Sequence, residues 1–155
     1  MDPLDISNEF LRTHSMFGGL TNKELEVVKP LLEKKSFAPK EKILIEGTPN
    51  NRVYFIVSGE VAILKHPMGK EELEYQIATL EEGDSFGEME LIDIQNCAAT
   101  VECLSDVTTI SLSNFHLYEL SQIDLHLYTM LIMNLARDIS RRLRSTNNLL
   151  AMVSK

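Results

Sequence analysis

No apolar run in this chain reaches the roughly 18–20 residues that span a bilayer as a helix, so no membrane-crossing helix is expected. The opening residues, MDPLDISNEF, are acidic and lack the basic-then-apolar order of a secretory signal. The expected location is the cytoplasm. Basic residues are scarce: Lys plus Arg number 15 against 23 Asp plus Glu, a formal net charge of −8. That balance disfavours a general nucleic-acid binder, whose phosphate contacts need basic patches. Cysteine is nearly absent. Cys97 and Cys103 cannot make a disulfide framework. Placed on one expected strand, they would face the same side but lie too far apart to bridge. They read as small, reduced, partly buried residues. The histidines His14, His66, His116 and His126 are scattered, with no metal-ligand spacing among them. No Ser-His-Asp, Cys-His or paired-carboxylate arrangement stands out. Neither an enzyme nor a certain cofactor is expected.

What is present is an ordinary globular composition, 44% hydrophobic and 25% charged over 155 residues. That suits one domain with a core of its own. There is no internal repeat and no low-complexity tract. Charge is uneven along the chain. KEELEYQIATLEEGDSFGEME holds most of the acid, and ARDISRRLR is basic. Its arginines, Arg137, Arg141, Arg142 and Arg144, read as a solvated or dimer-rim face near a helix C-terminal half, where cations are favoured. Contact with nucleic acid or an acidic partner is the alternative.

The periodicity changes twice. EFLRTHSMF predicts a short helix ended by Gly18-Gly19. GLTNKELEVVKPLLEKK predicts a second, with Thr21 and Glu24 as a capping box and Leu20 and Leu25 as a hydrophobic staple. From Ser36 to Ser113 the pattern is short β runs divided by Gly47, TPNN, Ser58-Gly59, HPMG and Glu82-Gly83-Asp84. About eight such runs predict a mainly β fold, an eight-stranded jelly-roll or β-roll (a double-stranded β-helix), with flanking N-terminal helices. Ser113 and Asp124 are N-cap candidates for two closing helices, the last of them long. Along it Ile132, Leu135, Ile139, Arg142, Thr146, Leu149 and Val153 step by 3 and 4, an imperfect coiled-coil seam that predicts a homodimer. The expected division is a helical lead-in over 1–20, the β-roll with its helices over 21–123, and a dimerisation helix over 124–155.

Three segments in this order, MFGGLTNKELEVV, EGTPNNRVYFIVSGEVAIL and GDSFGEMELIDIQNCAATV, carry a resemblance. The chain resembles the cyclic-nucleotide-binding domain family, which includes catabolite-activator-type regulators and kinase regulatory subunits. The resemblance runs from about Phe10 to Leu150. The third segment is similar to the family's phosphate-binding cassette, Phe-Gly-Glu-Leu-Ala-Leu, four to five variable residues, then Arg-Ala-Ala-Thr. It implies a non-enzymatic regulatory or sensory module whose last helices move when ligand binds. It implies ligand contacts at Phe86, Gly87, Glu88, Met89, Cys97, Ala98, Ala99 and Thr100. Gly87 stands where the chain would come close to the ligand and Glu88 where the ribose 2′-hydroxyl would be held. Thr100 stands beside base and phosphate. Backbone N–H groups at the start of the cassette helix would face the phosphate.

Two positions depart from that pattern. Cys97 stands where the family has its phosphate-binding arginine, and Glu90 where it has a small residue. The first removes a bidentate partner and the second adds a carboxylate. No substitute is evident, since nothing in the sequence aims Lys65, Lys70 or Arg52 at the pocket. The expected ligand is a cyclic nucleotide (cAMP or cGMP) or a related small anion, held weakly if at all. The alternative is an orphan domain that has lost nucleotide binding and serves as a protein-interaction or dimerisation unit. Glu88 would then be a structural carboxylate, and Cys97 a small filler or, less simply, a sensing thiol. The protein partner is not indicated. The chain stops at Lys155 with no room for the winged helix-turn-helix that DNA-binding family members append, so direct DNA binding is not expected.

Overall fold

The computed structural model describes residues 5–154. Residues 1–4 of the expected lead-in, and residue 155 of the expected last segment, lie outside the described residues. Eight strands form two four-stranded antiparallel sheets. One has the order β1 (Glu33–Phe37), β8 (Val107–Ser113), β3 (Arg52–Ser58), β6 (Ser85–Phe86). The other has β2 (Lys42–Leu44), β7 (Thr100–Cys103), β4 (Val61–Lys65), β5 (Tyr75–Leu80). Short runs bounded by turn residues give this result because each strand can bury its apolar face only by stacking against the other sheet.

Two apolar clusters share the first sheet. Between the sheets lie Phe37, Leu44, Ile56, Val61, Phe86, Val101 and Val107. On the outer face of the first sheet, Val53, Phe55, Ile110 and Leu112 pack against the helices. This explains the unbroken run VYFIV on β3, which does not alternate because both of its faces are buried. His14, fully buried, is a packing residue: its Nε2 donates to the Ile56 carbonyl at 2.9 Å, and its ring meets the edges of Phe10 and Phe55.

The helices begin where the capping residues place them. α1 (Asn8–Leu11) is capped by Ser7, and a 3-10 turn follows at Ser15–Phe17. α2 (Asn22–Val28) opens on the expected capping box of Thr21 and Glu24. It stops earlier than its periodicity predicted. Pro30 has no N–H to give and disfavours helix in the residue before it. The chain therefore turns through a 3-10 segment, Lys29–Leu31, and EKKSF pairs with β8 as a strand. After α3 (Glu88–Asp93), α4 (Asn114–Ile123) is capped by Ser113 and α5 (Leu125–Val153) by Asp124.

The expected dimer seam on α5 is, over its first half, an intramolecular face. Leu135 is buried, and Ile132 and Ile139 pack against the same helical cluster. Cys97 and Cys103 also differ from expectation. Only Cys103 lies on β7, while Cys97 sits in the loop before it, and both are free and buried.

Candidate ligand-binding site

The site grows from one turn. β6 ends at Phe86, whose ring stacks on Tyr54 with centroids 5.1 Å apart. Gly87 follows at φ +87°, and α3 starts at once. A Cβ on Gly87 would stand 2.6 Å from the Arg52 carbonyl oxygen and 2.9 Å from Asn50 Nδ2. Glycine is required here by the close packing of the turn on β3. Asn50 fastens the contact by donating to the carbonyls of Arg52 (2.8 Å) and Gly87 (3.2 Å). α3 then ends on Ile94 in the left-handed region, and the chain returns through Cys97–Ala99 to β7.

These turns enclose a cavity of about 460 Å³ whose apolar walls come from Leu44, Ile63, Leu80, Phe86 and Val101. Of the expected site residues, Phe86, Gly87, Glu88, Met89, Ala98 and Ala99 line it. Cys97 and Thr100 do not. The backbone of Cys97 pairs with Thr48 (2.8 Å) and Gly47 (2.9 Å), and its side chain lies in the cluster between the sheets. The Thr100 hydroxyl is buried and accepts the Glu46 N–H at 2.9 Å. Burial, then the nearby Glu90 carboxylate, pushes the Cys97 thiol up from its ordinary value. Burial, with Glu41 and Glu102, pushes Cys103 up to about 11. Both are therefore protonated near neutrality and poorly suited to thiolate sensing.

Polar groups gather on one side of the cavity. Glu88 is 3% exposed. Its Oε1 pairs with Arg142 Nη1, and its Oε2 is buried without a hydrogen-bond partner. Burial raises its pKa above the ordinary value; Arg142 opposes that rise, while Asp138 and Glu90 add to it. Arg142 Nη2 also donates to the Ser85 carbonyl at 2.7 Å and hydroxyl at 3.0 Å, and lies 3.0 Å from Asp138 Oδ2. Glu90 points inward, not to water. It is 8% exposed, and its Oε1 accepts the Ala98 N–H at 3.1 Å.

Sequence reasoning gave Arg142 two places, the solvated or dimer-rim basic cluster and the coiled-coil seam, and not the cavity. The signal that could have placed it was its step of 3 from Ile139 and 4 from Asp138, which puts it on the inward face of α5. Thr146, one turn further, lines the same cavity. The other cations stay elsewhere or are engaged. Lys65 reaches the Ala98 carbonyl but is paired with Glu46 at 2.9 Å, and that hydrogen bond holds the Glu46 carboxyl below its ordinary value. Arg52 pairs with Glu33 at 3.0 Å. Among the described residues no His/Cys/Asp/Glu group could hold a metal ion, and no helix is long and apolar enough to cross a membrane.

A family model for the cyclic nucleotide-binding domain matches residues 34–124. A cAMP-dependent protein kinase regulatory subunit from Hypocrea atroviridis is 35% identical over 103 residues, 66% of this chain and 21% of that protein. A solved cyclic nucleotide-binding domain from Methylobacillus flagellatus superposes with a TM-score of 0.84 at 22% identity, over 95% of this chain and 82% of that one. A regulatory subunit of a cAMP-independent protein kinase A from Trypanosoma brucei, solved as a mutant bound to cAMP in the A site, has a TM-score of 0.71 at 23% identity. That match covers 84% of this chain and 44% of that one. The chain spans between 21% and 62% of the length of the first curated relatives it matches.

Proposed function

The chain belongs to the cyclic nucleotide-binding domain family, and we propose that it is a non-enzymatic regulatory module in which the last helix senses what occupies the β-roll cavity. The observation that carries this reading is the pairing of Arg142, on α5, with Glu88, at the start of the cassette helix. A ligand that engages Glu88 competes with that contact. It then shifts α5 by its differential affinity for the paired and released states. The module works in the cytoplasm and passes the shift to a protein partner.

Cyclic nucleotides bind weakly. The arginine that would face the phosphate is replaced by Cys97. Loss of one partner of a buried charged pair costs about 2–5 kcal/mol. Glu90 adds repulsion: two like charges about 4 Å apart at an effective dielectric of about 20 repel by about 4 kcal/mol. Either effect alone is worth tenfold or more in affinity. The Trypanosoma brucei mutant bound to cAMP supports this. That mutant carries Glu→Ala, Thr→Arg and Val→Ala changes, the first two seven residues apart and the third adjacent, which is the spacing of Glu90, Cys97 and Ala98.

Calorimetric titration decides it. Wild type is expected to bind cAMP and cGMP no tighter than tens of micromolar. Cys97→Arg with Glu90→Ala, in which the longer arginine side chain leaves the inter-sheet cluster for the cavity, is expected to bind at least tenfold tighter, with altered hydrogen exchange around Arg142 on α5. A low-micromolar wild-type constant would overturn the weak-binding reading. Ligand binding that leaves exchange in α5 unchanged would overturn the sensing role.

A second reading, a dimerisation unit, is favoured by the face of α5 that stays exposed. Met133, Ala136, Ser140, Leu143, Asn147 and Leu150 step by 3 and 4 and are all exposed. This row has heptad spacing, with an asparagine placed where it would set register. A second copy of the chain fits it better than the expected seam, whose first half is occupied within the chain.

A further inference from the structure

We propose that the cavity is built for an uncharged nucleoside, a flat apolar body on a hydroxyl-bearing ring, with the Glu90 carboxylate permanently filling the place of a phosphate. The proposal deepens the ligand-sensing reading and rests on it. Its first support is the Ala98 N–H. That donor belongs to the loop opposite the start of α3, where an incoming anion would find its backbone partner. Here a side chain of the same protein has taken it: Glu90 Oε1 accepts that N–H at 3.1 Å from an 8% exposed position. An anionic group arriving there would meet an acceptor instead of a donor.

Charge gives the second support. The charged groups lining the cavity are Asp84, Glu88 and Glu90 against Arg142. The Arg142 guanidinium is already engaged by Glu88, Asp138 and Ser85. The lining thus carries net negative charge and offers no unengaged cation. Lys65 does not change this, since Glu46 holds its ammonium and the Ala98 carbonyl takes another of its protons.

The third support is a vacancy in hydrogen bonding. Glu88 Oε2 is buried and has no partner. A buried carboxylate oxygen left alone is costly, so the site lacks a donor at that point. A ligand's ring hydroxyl supplies one, in a nucleoside and in its cyclic monophosphate alike, so this contact selects the ring while the first two supports exclude the phosphate. The remaining wall is apolar, from Leu44, Ile63, Leu80, Phe86 and Val101, and suits a flat heterocycle. The volume of about 460 Å³ is in the range of small-molecule sites. Donor-bearing ring, flat apolar body and absent phosphate together describe a nucleoside.

The test uses pairs of probes that differ only in the phosphate. Adenosine and guanosine are titrated calorimetrically into the full chain beside their 3′,5′-cyclic monophosphates. The expected result is that at least one nucleoside binds tenfold or more tightly than its cyclic monophosphate. Glu90→Gln keeps an oxygen for the Ala98 N–H but removes the charge, and it is expected to shrink that preference at least tenfold. Glu88→Gln is expected to lose nucleoside binding with an unchanged fold by circular dichroism. If the cyclic monophosphates bind wild type more tightly, this proposal falls and the ligand-sensing reading stands. If none of the four binds at millimolar concentration, both fall. If Glu90→Gln binds with the wild-type preference, the role given to Glu90 is wrong. Should that variant not fold, the wild-type pairs still decide the ligand class.

Discussion

At Gly87, Glu88 and Glu90 single atoms decide what the site can do. Gly87 combines a left-handed φ with a backbone oxygen 2.6 Å from where a Cβ would be. Gly87→Ala is therefore expected to cost about 2 kcal/mol or more, from left-handed strain plus displacement of β3. Urea unfolding measures it, and a loss below about 0.5 kcal/mol would mean the turn relaxes freely. Glu88 carries a pH dependence whose sign follows from its raised pKa. In the unfolded chain it titrates near its ordinary value, 4.5, and in the fold it titrates higher. Its favourable contribution is thus fully present below 4.5 and lost as pH rises through the folded value. Wild type should gain melting temperature relative to Glu88→Gln as pH falls from neutrality toward 4.5. A difference that does not change with pH would mean that the Arg142 contact fully offsets the burial of Glu88.

At the scale of elements, α5 presents two distinct faces. Ile132, Leu135 and Ile139 dock it onto the helical cluster, and Arg142 and Thr146 continue the same stripe to the cavity. Leu143, 59% exposed, lies on the other face. Ile139→Glu is expected to lower stability by about 1–3 kcal/mol, because it buries a charge against an apolar cluster. Leu143→Glu is expected to leave the melting temperature at low concentration unchanged and, on the self-association reading, to keep the chain monomeric. Light scattering at tens of micromolar reads the second effect as a fall toward the single-chain mass of 17.6 kDa. If wild type already runs at that mass, the exposed row is not a self-association surface. If Ile139→Glu alone dissociates a stable fold, the docking role assigned to that face is wrong.

At the scale of the whole molecule, the two apolar clusters meet across β3 and β8, which send alternate side chains into each. Neither cluster can be lost while the other keeps its sheet. Far-ultraviolet dichroism and tyrosine fluorescence should therefore report one coincident unfolding transition. Two separated transitions would show that the helical layer comes away alone. Much of this architecture is legible in the chain because it depends on near neighbours. The capping box at Thr21 and Glu24, the caps at Ser113 and Asp124, and the strands bounded by glycine turns all follow from spacing within a few residues. The cassette turn at Gly87 was equally legible as a turn. What packs on it was not, because Arg52 and Asn50 come from another strand and its approach. The early end of α2 at Pro30 was written in the sequence but outweighed there by apolar periodicity. Three decisions belonged to tertiary structure alone: Cys97 faces the inter-sheet core and not the cavity, Glu90 turns inward onto the Ala98 N–H, and Arg142 leaves the basic cluster for Glu88. The Arg142–Glu88 pair joins groups 54 residues apart in the chain. Local preference specifies where an element starts and which face is apolar. Which polar group meets which inside the cavity is set only once the sheets have stacked and α5 has docked, because only then does burial make an unpaired charge costly.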